Sequence, residues 1–290
     1  MKRNGEFLVL ISILAFSVSD IFDKVAVVET DPLLATLIKC IIICLFVFFV
    51  GLRERFNFKG ARYFVASGLI SEIVGSASFM QSLRFGINVA LPVIQSQVIF
   101  TAIFSYLLLR ERISKKAYAG IVVIFTGLAI LAYSQFSYVE AQDPLSGVFF
   151  ALVASIGWGA GAVLWKMGLE HGASSSTGLI VHYLSAIVVI SAVMLFRGIR
   201  FSVSSSDIVN LAIASLLDGI LGMLALIRSM RYISATRAQT LKSLYPILAC
   251  VLASIIFREP ITGAMASGMV IATVGVGLFE NGKKVNASLQ

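Results

Sequence analysis

Two carboxylates and two ammonium groups lie where this chain is otherwise most apolar. Glu72 falls midway along the apolar stretch 63–83 and Asp218 midway along 208–228, while Lys39 lies in 33–52 and Lys242 in 235–257. A charge at the centre of a bilayer costs at least about 2.5–3.5 kcal/mol on insertion scales, so ionisable residues at such depth mark binding or coupling sites by default. These acids can bind an amine, or carry a proton whose uptake is linked to transport. The alternative is a fixed buried ion pair that only holds helices together. Small residues share a helical face with each acid, Gly68, Gly75 and Ser76 around Glu72 and Ser215 and Gly222 around Asp218. Such a face is either a cavity wall or a tight packing seam.

Lys242 stands one turn from Gln239, Tyr245 and Pro246, and the aligned positions in the stretch 87–109 are Gln95 and Gln97. Pro246 frees a backbone carbonyl that can line a cavity. An acid pair opposite a lysine suits a zwitterion, its carboxylate on Lys242 and its amine on Glu72 or Asp218. The plainer alternative is that Lys242 only neutralises Asp218. Lys39 and His182 correspond at an offset of 143 and each lies near a helix end. Lys39 is expected either to snorkel to the interface or join a gate ion pair, or else to contact substrate. His182 can titrate near physiological pH, or serve a structural role. Lys24 and Lys166, at an offset of 142, are candidate gate cations, Lys24 with Asp20, Asp23 or Asp31 and Lys166 with Glu170, or simply snorkelling residues. Trp158 and Trp165 either line the cavity or pack.

The elements that must position these residues follow from composition. With 58% hydrophobic and 13% charged residues, the chain lies far from the soluble average of roughly 45–50% apolar and about 25% charged. Ten stretches reach the length of about 20 apolar residues that spans a bilayer: 7–27, 33–52, 63–83, 87–109, 117–135, 146–168, 178–196, 208–228, 235–257 and 263–280. The first is too long, and lacks a small-x-small site, to read as a cleaved signal peptide. The net charge of +8 does not point to nucleic acid, because the cations are sorted by side. With the N-terminus inside, sixteen fall in inward segments and four in outward loops, which places both termini in the cytoplasm of a cell membrane.

The second half of the chain rewrites the first. Phe104–Leu131 recurs 148 residues later as Leu252–Phe279, matching Arg110 with Arg258, Glu111 with Glu259, Gly120 with Gly268 and Gly127 with Gly275. Ser82-Leu83-Arg84-Phe85 recurs as Ser229-Met230-Arg231-Tyr232. Five spans per copy is an odd number, so the copies are inverted relative to one another. The expected architecture is an all-α integral membrane protein of ten transmembrane helices in two inverted five-helix repeats, 1–136 and 145–290, joined by an external connector, 137–144. Inverted repeats of this kind belong to secondary transporters that alternate access to a midplane site.

No Walker, HExxH or GxSxG motif and no Cys/His cluster appears, which excludes recognisable ATP hydrolysis, hydrolase chemistry and a metal or other cofactor. Cys40, Cys44 and Cys250 lie within predicted spans as packing residues. Energy must then come from gradients or exchange.

The paired helix-end motifs Arg110-Glu111 and Arg258-Glu259, the Ser-Leu-Arg-Phe and Ser-Met-Arg-Tyr helix ends, and Trp158-Gly159 resemble the EamA-type branch of the drug/metabolite transporter superfamily. The resemblance covers essentially the whole chain. It implies a ten-helix carrier of small metabolites, monomeric or homodimeric, with helices 1, 3, 4, 6, 8 and 9 around the cavity. The two copies depart from each other where Phe16-Ser17 answers Trp158-Gly159 and Val98 answers Pro246. The leading expectation is an exporter of amino acids or related amines. Carriage of organic or phosphorylated anions, drug efflux, and a non-transporting membrane protein are the alternatives.

Overall fold

The computed structural model describes residues 2–51, 57–85, 87–94, 96–110, 114–136, 144–242, 244–257 and 263–287. Among them the chain forms ten helical spans and no strand. They are α1 (Lys2–Ala26), α2 (Pro32–Gly51), α3 (Ala61–Arg84), α4 (Ile87–Ile94 and Gln97–Leu109), α5 (Lys115–Phe136), α6 (Pro144–Glu170), α7 (Ser175–Arg197), α8 (Ser205–Ser229), α9 (Ala235–Lys242 and Tyr245–Phe257) and α10 (Gly263–Ala287). In a bilayer every backbone group must find its partner within the segment, which is why apolar runs of this length adopt helices. Six of them, α1, α2, α3, α6, α7 and α8, are long and apolar enough to cross a membrane uninterrupted. Large apolar side chains on the perimeter, such as Phe7, Leu195 and Phe196, are exposed as only a lipid-facing surface would hold them.

The helices pack by exchange between the halves. α1 packs on α8 and α9, while its counterpart α6 packs on α3 and α4. α2 packs on α7 and α5 on α10, each against its own counterpart. The α5–α10 seam is a close backbone approach built on the repeated glycines. A Cβ added to Gly120 would meet the backbone of Phe279 and Gly275, and one added to Gly127 would meet that of Ala272 and Gly268. Small residues allow such approaches where lipid offers no hydrophobic drive for helix association.

The repeated arginines at the ends of α3 and α8 have matching tasks. Arg84 donates to the carbonyls of Val27 and Thr30 just beyond α1, and Arg231 donates to that of Ala173 just beyond α6. Arg110 closes α4 with a left-handed φ of 55°. Its partner in the motif, Glu111, and both members of the second copy, Arg258 and Glu259, lie outside the described residues.

Two departures from regular α-helix concern the site. Residues Leu69–Ser76 of α3 and Ser215–Gly222 of α8 are π-helical. In each the bond spanning five residues ends on the acid's own carbonyl: Ala77 N donates to Glu72 O, and Met223 N to Asp218 O. Segments of this kind cluster at functional sites. α4 and α9 are also each in two pieces. In α9, Pro246 has no N–H to offer the carbonyl four residues back, that of Lys242, and the chain turns through Leu244 N to Leu241 O instead.

Candidate functional site

The interrupted helices converge on one internal cavity. It measures about 920 Å³ counting its open mouth, and its wall includes Phe16 and Asp20 of α1, Lys39 of α2, Glu72 of α3, Gln97 of α4 and Trp158 of α6. Tyr183, Asp218, Lys242 and Tyr245 complete it from α7, α8 and α9. The helix breaks and π segments place these polar side chains side by side at the junction of the two halves.

Two polar side-chain contacts cross between the halves. Lys39 Nζ donates to Asp218 Oδ2 at 2.6 Å and to Asp23 Oδ2 at 2.5 Å, tying α2 to α8 and α1. His182 Nε2 lies 2.9 Å from Glu72 Oε1, tying α7 to α3. α2 and α7 are counterparts, as are α3 and α8, so these pairs answer one another across the pseudo-two-fold. Cys40 donates its thiol toward Glu72 Oε2 at 3.8 Å.

The buried polar atoms left over define what the cavity can accept. In the wall, Asp20 Oδ2, Asp218 Oδ1 and both amide atoms of Gln97 have no hydrogen-bond partner among the described residues. Buried polar groups are otherwise almost always satisfied, so these are positions for a ligand or water. Lys242 pairs with no carboxylate among the described residues. Its Nζ sits 4.3 Å from the ring centroid of Phe16, 5.5 Å from Tyr245 and 5.6 Å from Trp158, a cage of three aromatic faces. Cation–π contacts hold the ammonium in place without occupying it as a carboxylate would. Trp158 is fixed by its Nε1, which donates to Ser76 Oγ at 3.2 Å, and by the ring of Phe79. Ser17 Oγ reaches Tyr245 O at 2.9 Å across the break in α9.

The residues singled out from sequence are distributed as follows. Glu72, Asp218, Lys242, Tyr245, Trp158 and Lys39 line the cavity, and so does Asp20, expected at a gate. His182 stands directly behind Glu72. Lys39 does not snorkel to an interface. It is 7% exposed, and its ammonium points inward to two acids. Asp23 is taken by Lys39 rather than serving Lys24, and Asp31 caps α2 through Leu33 N at 2.9 Å. Lys166 donates to Met230 O at 2.7 Å and lies 3.7 Å from Glu170 Oε1. Gln95 lies outside the described residues, as does the side chain of Gln239. Sequence reasoning named Gln97 only as an aligned amide, yet its side chain lies in the wall.

Comparisons with known proteins bear on the family and the fold. The family model described as the EamA-like transporter family matches twice, over residues 3–133 and 145–280. A probable amino-acid metabolite efflux pump of Salmonella typhimurium is 21% identical over 95% of this chain and 94% of its own. An uncharacterized transporter of Methanothermobacter thermautotrophicus is 25% identical over 96% of this chain and 87% of its own. A solved crystal structure superposes with a TM-score of 0.76 over 96% of both chains at 14% identity, sharing the fold. Two matched repeats, a helical fold of about ten spans and a polar cavity between them lead to one conclusion: this multi-pass membrane protein belongs to the EamA-like transporter family.

Proposed function

We propose that the protein is a secondary carrier of small zwitterionic amines, amino acids or close relatives, working by alternating access. The observation that carries this reading is the pairing of unlike vacancies in one cavity. Among the described residues, Lys242 offers an ammonium that no carboxylate occupies, and Asp20 and Asp218 each offer a carboxylate oxygen that no donor occupies. A zwitterion answers both, its carboxylate at Lys242 and its ammonium at the acids, which compensates buried charge that is otherwise costly.

In this reading two repeats, 1–136 and 145–290, rock about the cavity, with the connector 137–144 outside and both termini in the cytoplasm. The sorted cations support that orientation. Export is the favoured direction, in keeping with the efflux pump among the relatives. A second reading, carriage of organic anions, draws on the same unpaired Lys242.

The test is flux and charge movement in proteoliposomes given neutral amino acids, cationic amines, dicarboxylates and sugar phosphates, with and without a pH gradient. An amino-acid response lost in Asp218→Asn and in Lys242→Gln is expected. Responses confined to dicarboxylates or phosphates, spared by Asp218→Asn and lost in Lys242→Gln, would replace this reading with the anion carrier.

A further inference from the structure

Lys39 Nζ bridges two carboxylates, one of which, Asp218, belongs to the acids read above as the amine site. Its ammonium is buried among helices from both halves, between Asp23 of α1 and Asp218 of α8, and each acid keeps one oxygen without a partner. The other ammonium of the cavity, Lys242, is turned onto aromatic faces and pairs with neither acid. Among the described residues Lys39 is therefore the cation that pairs with Asp23 and Asp218.

A carrier must return across the membrane after releasing its cargo. During that passage the site is sealed from water on both sides, and uncompensated carboxylates would oppose the sealing. Resting on the amine reading above, we propose that Lys39 is a resident counter-cation that lets the unloaded carrier reorient. On loading, the substrate ammonium takes Asp218 and Lys39 keeps Asp23; on release, Lys39 bridges both acids again. The flexible four-carbon stem of lysine allows this exchange without moving the backbone of α2. The consequence concerns the mode of transport. A carrier with its own cation completes the return leg empty and performs net transport. Without that cation the return leg needs a substrate, and the carrier becomes an obligate exchanger.

The experiment compares two fluxes in proteoliposomes preloaded with a mixture of labelled neutral amino acids. One is efflux into buffer free of amino acids; the other is efflux into buffer holding the same amino acids unlabelled. Wild type is expected to show both. Lys39→Met is expected to lose net efflux at least about tenfold more than it loses exchange, the scale set by an uncompensated intramembrane charge. Lys39→Arg, which keeps the charge, retains net efflux. Equal loss of both fluxes in Lys39→Met, or undiminished net efflux, overturns the inference.

Should Lys39→Met fail to fold, Asp23→Asn provides the decision. It removes the acid on which Lys39 falls back when substrate takes Asp218, so the apparent KM is expected to rise while net efflux persists. An unchanged KM overturns the inference. Failure of the amine reading itself is seen separately, as absence of amino-acid flux in wild type in either mode.

Discussion

At the scale of single residues, the site is built from charges that find partners in the opposite half. Lys39 and His182 are counterparts on α2 and α7, and they reach acids on α8 and α3 respectively. The caged Lys242 has no such partner, and its position depends on ring faces. Removing the nearest ring, as in Phe16→Ala, is expected to raise the apparent KM for amino acids about two- to thirtyfold, because a cation–π contact is worth about 0.5–2 kcal/mol. The melting temperature in detergent should change little, since Phe16 is only partly buried. Glu72, Asp218 and Lys242 were legible in the sequence because a charge inside an apolar run has few innocent explanations. Lys39 was harder to read. Its closeness to a helix end suggested an interface, and only tertiary packing brings Asp23 and Asp218 to it. For the same reason the sequence could not show that Asp20 faces the cavity instead of a neighbouring lysine.

At the scale of elements, the π-helical stretches of α3 and α8 matter most. They open the helix beside each acid and are packed against neighbours through glycine. A Cβ on Gly75 would lie 2.5 Å from Trp158 Cδ1, and one on Gly219 would run into the side chain of Ile43. Gly75→Leu is therefore expected to displace Trp158 from the Lys242 cage and reduce transport by at least about tenfold, more than it lowers the yield of folded protein, as flux per reconstituted molecule would report. The α5–α10 seam lies away from the cavity and predicts the opposite pattern. Gly275→Leu, whose side chain would meet the backbone of Ile124, is expected to lower the melting temperature by several degrees, by analogy with the overpacking cost of about 1–3 kcal/mol. The molecules that remain folded should still transport.

The spans themselves were plain in the sequence from length and apolarity. The interruption of α9 was marked by Pro246, whereas α4 has Val98 at the matching position and its proline, Pro92, falls before the break instead of after it. The π segments also lacked one. Their glycines and serines read equally well as an ordinary packing seam.

At the scale of the whole molecule, the halves are interlocked more than adjoined. α1 is buried by α8 and α9, and α6 by α3 and α4, so each half supplies the wall that the other lacks. Residues 1–136 expressed alone are expected to be degraded or to aggregate. Co-expression with residues 145–290 as a separate chain should restore a complex, measurable by co-purification through a tag on one half. Orientation is open to a simple check. Reporters fused to either terminus should both signal from the cytoplasmic side, and a single outward signal would overturn the reading of the sorted cations.

The bridge made by Lys39 has a further consequence during biosynthesis. Asp23 and Lys39 leave the ribosome close together, but Asp218 follows Lys39 by 179 residues. At about 5–20 residues per second, Lys39 and Asp23 spend about 9–36 seconds waiting for their third partner. During that interval Lys39 has only Asp23 of its two acids within reach. The nascent first half is thus a client for whatever insertion machinery can shelter acidic helices. Slowing translation between α2 and α8 should raise its loss to membrane proteolysis, whereas slowing it after α9 should not.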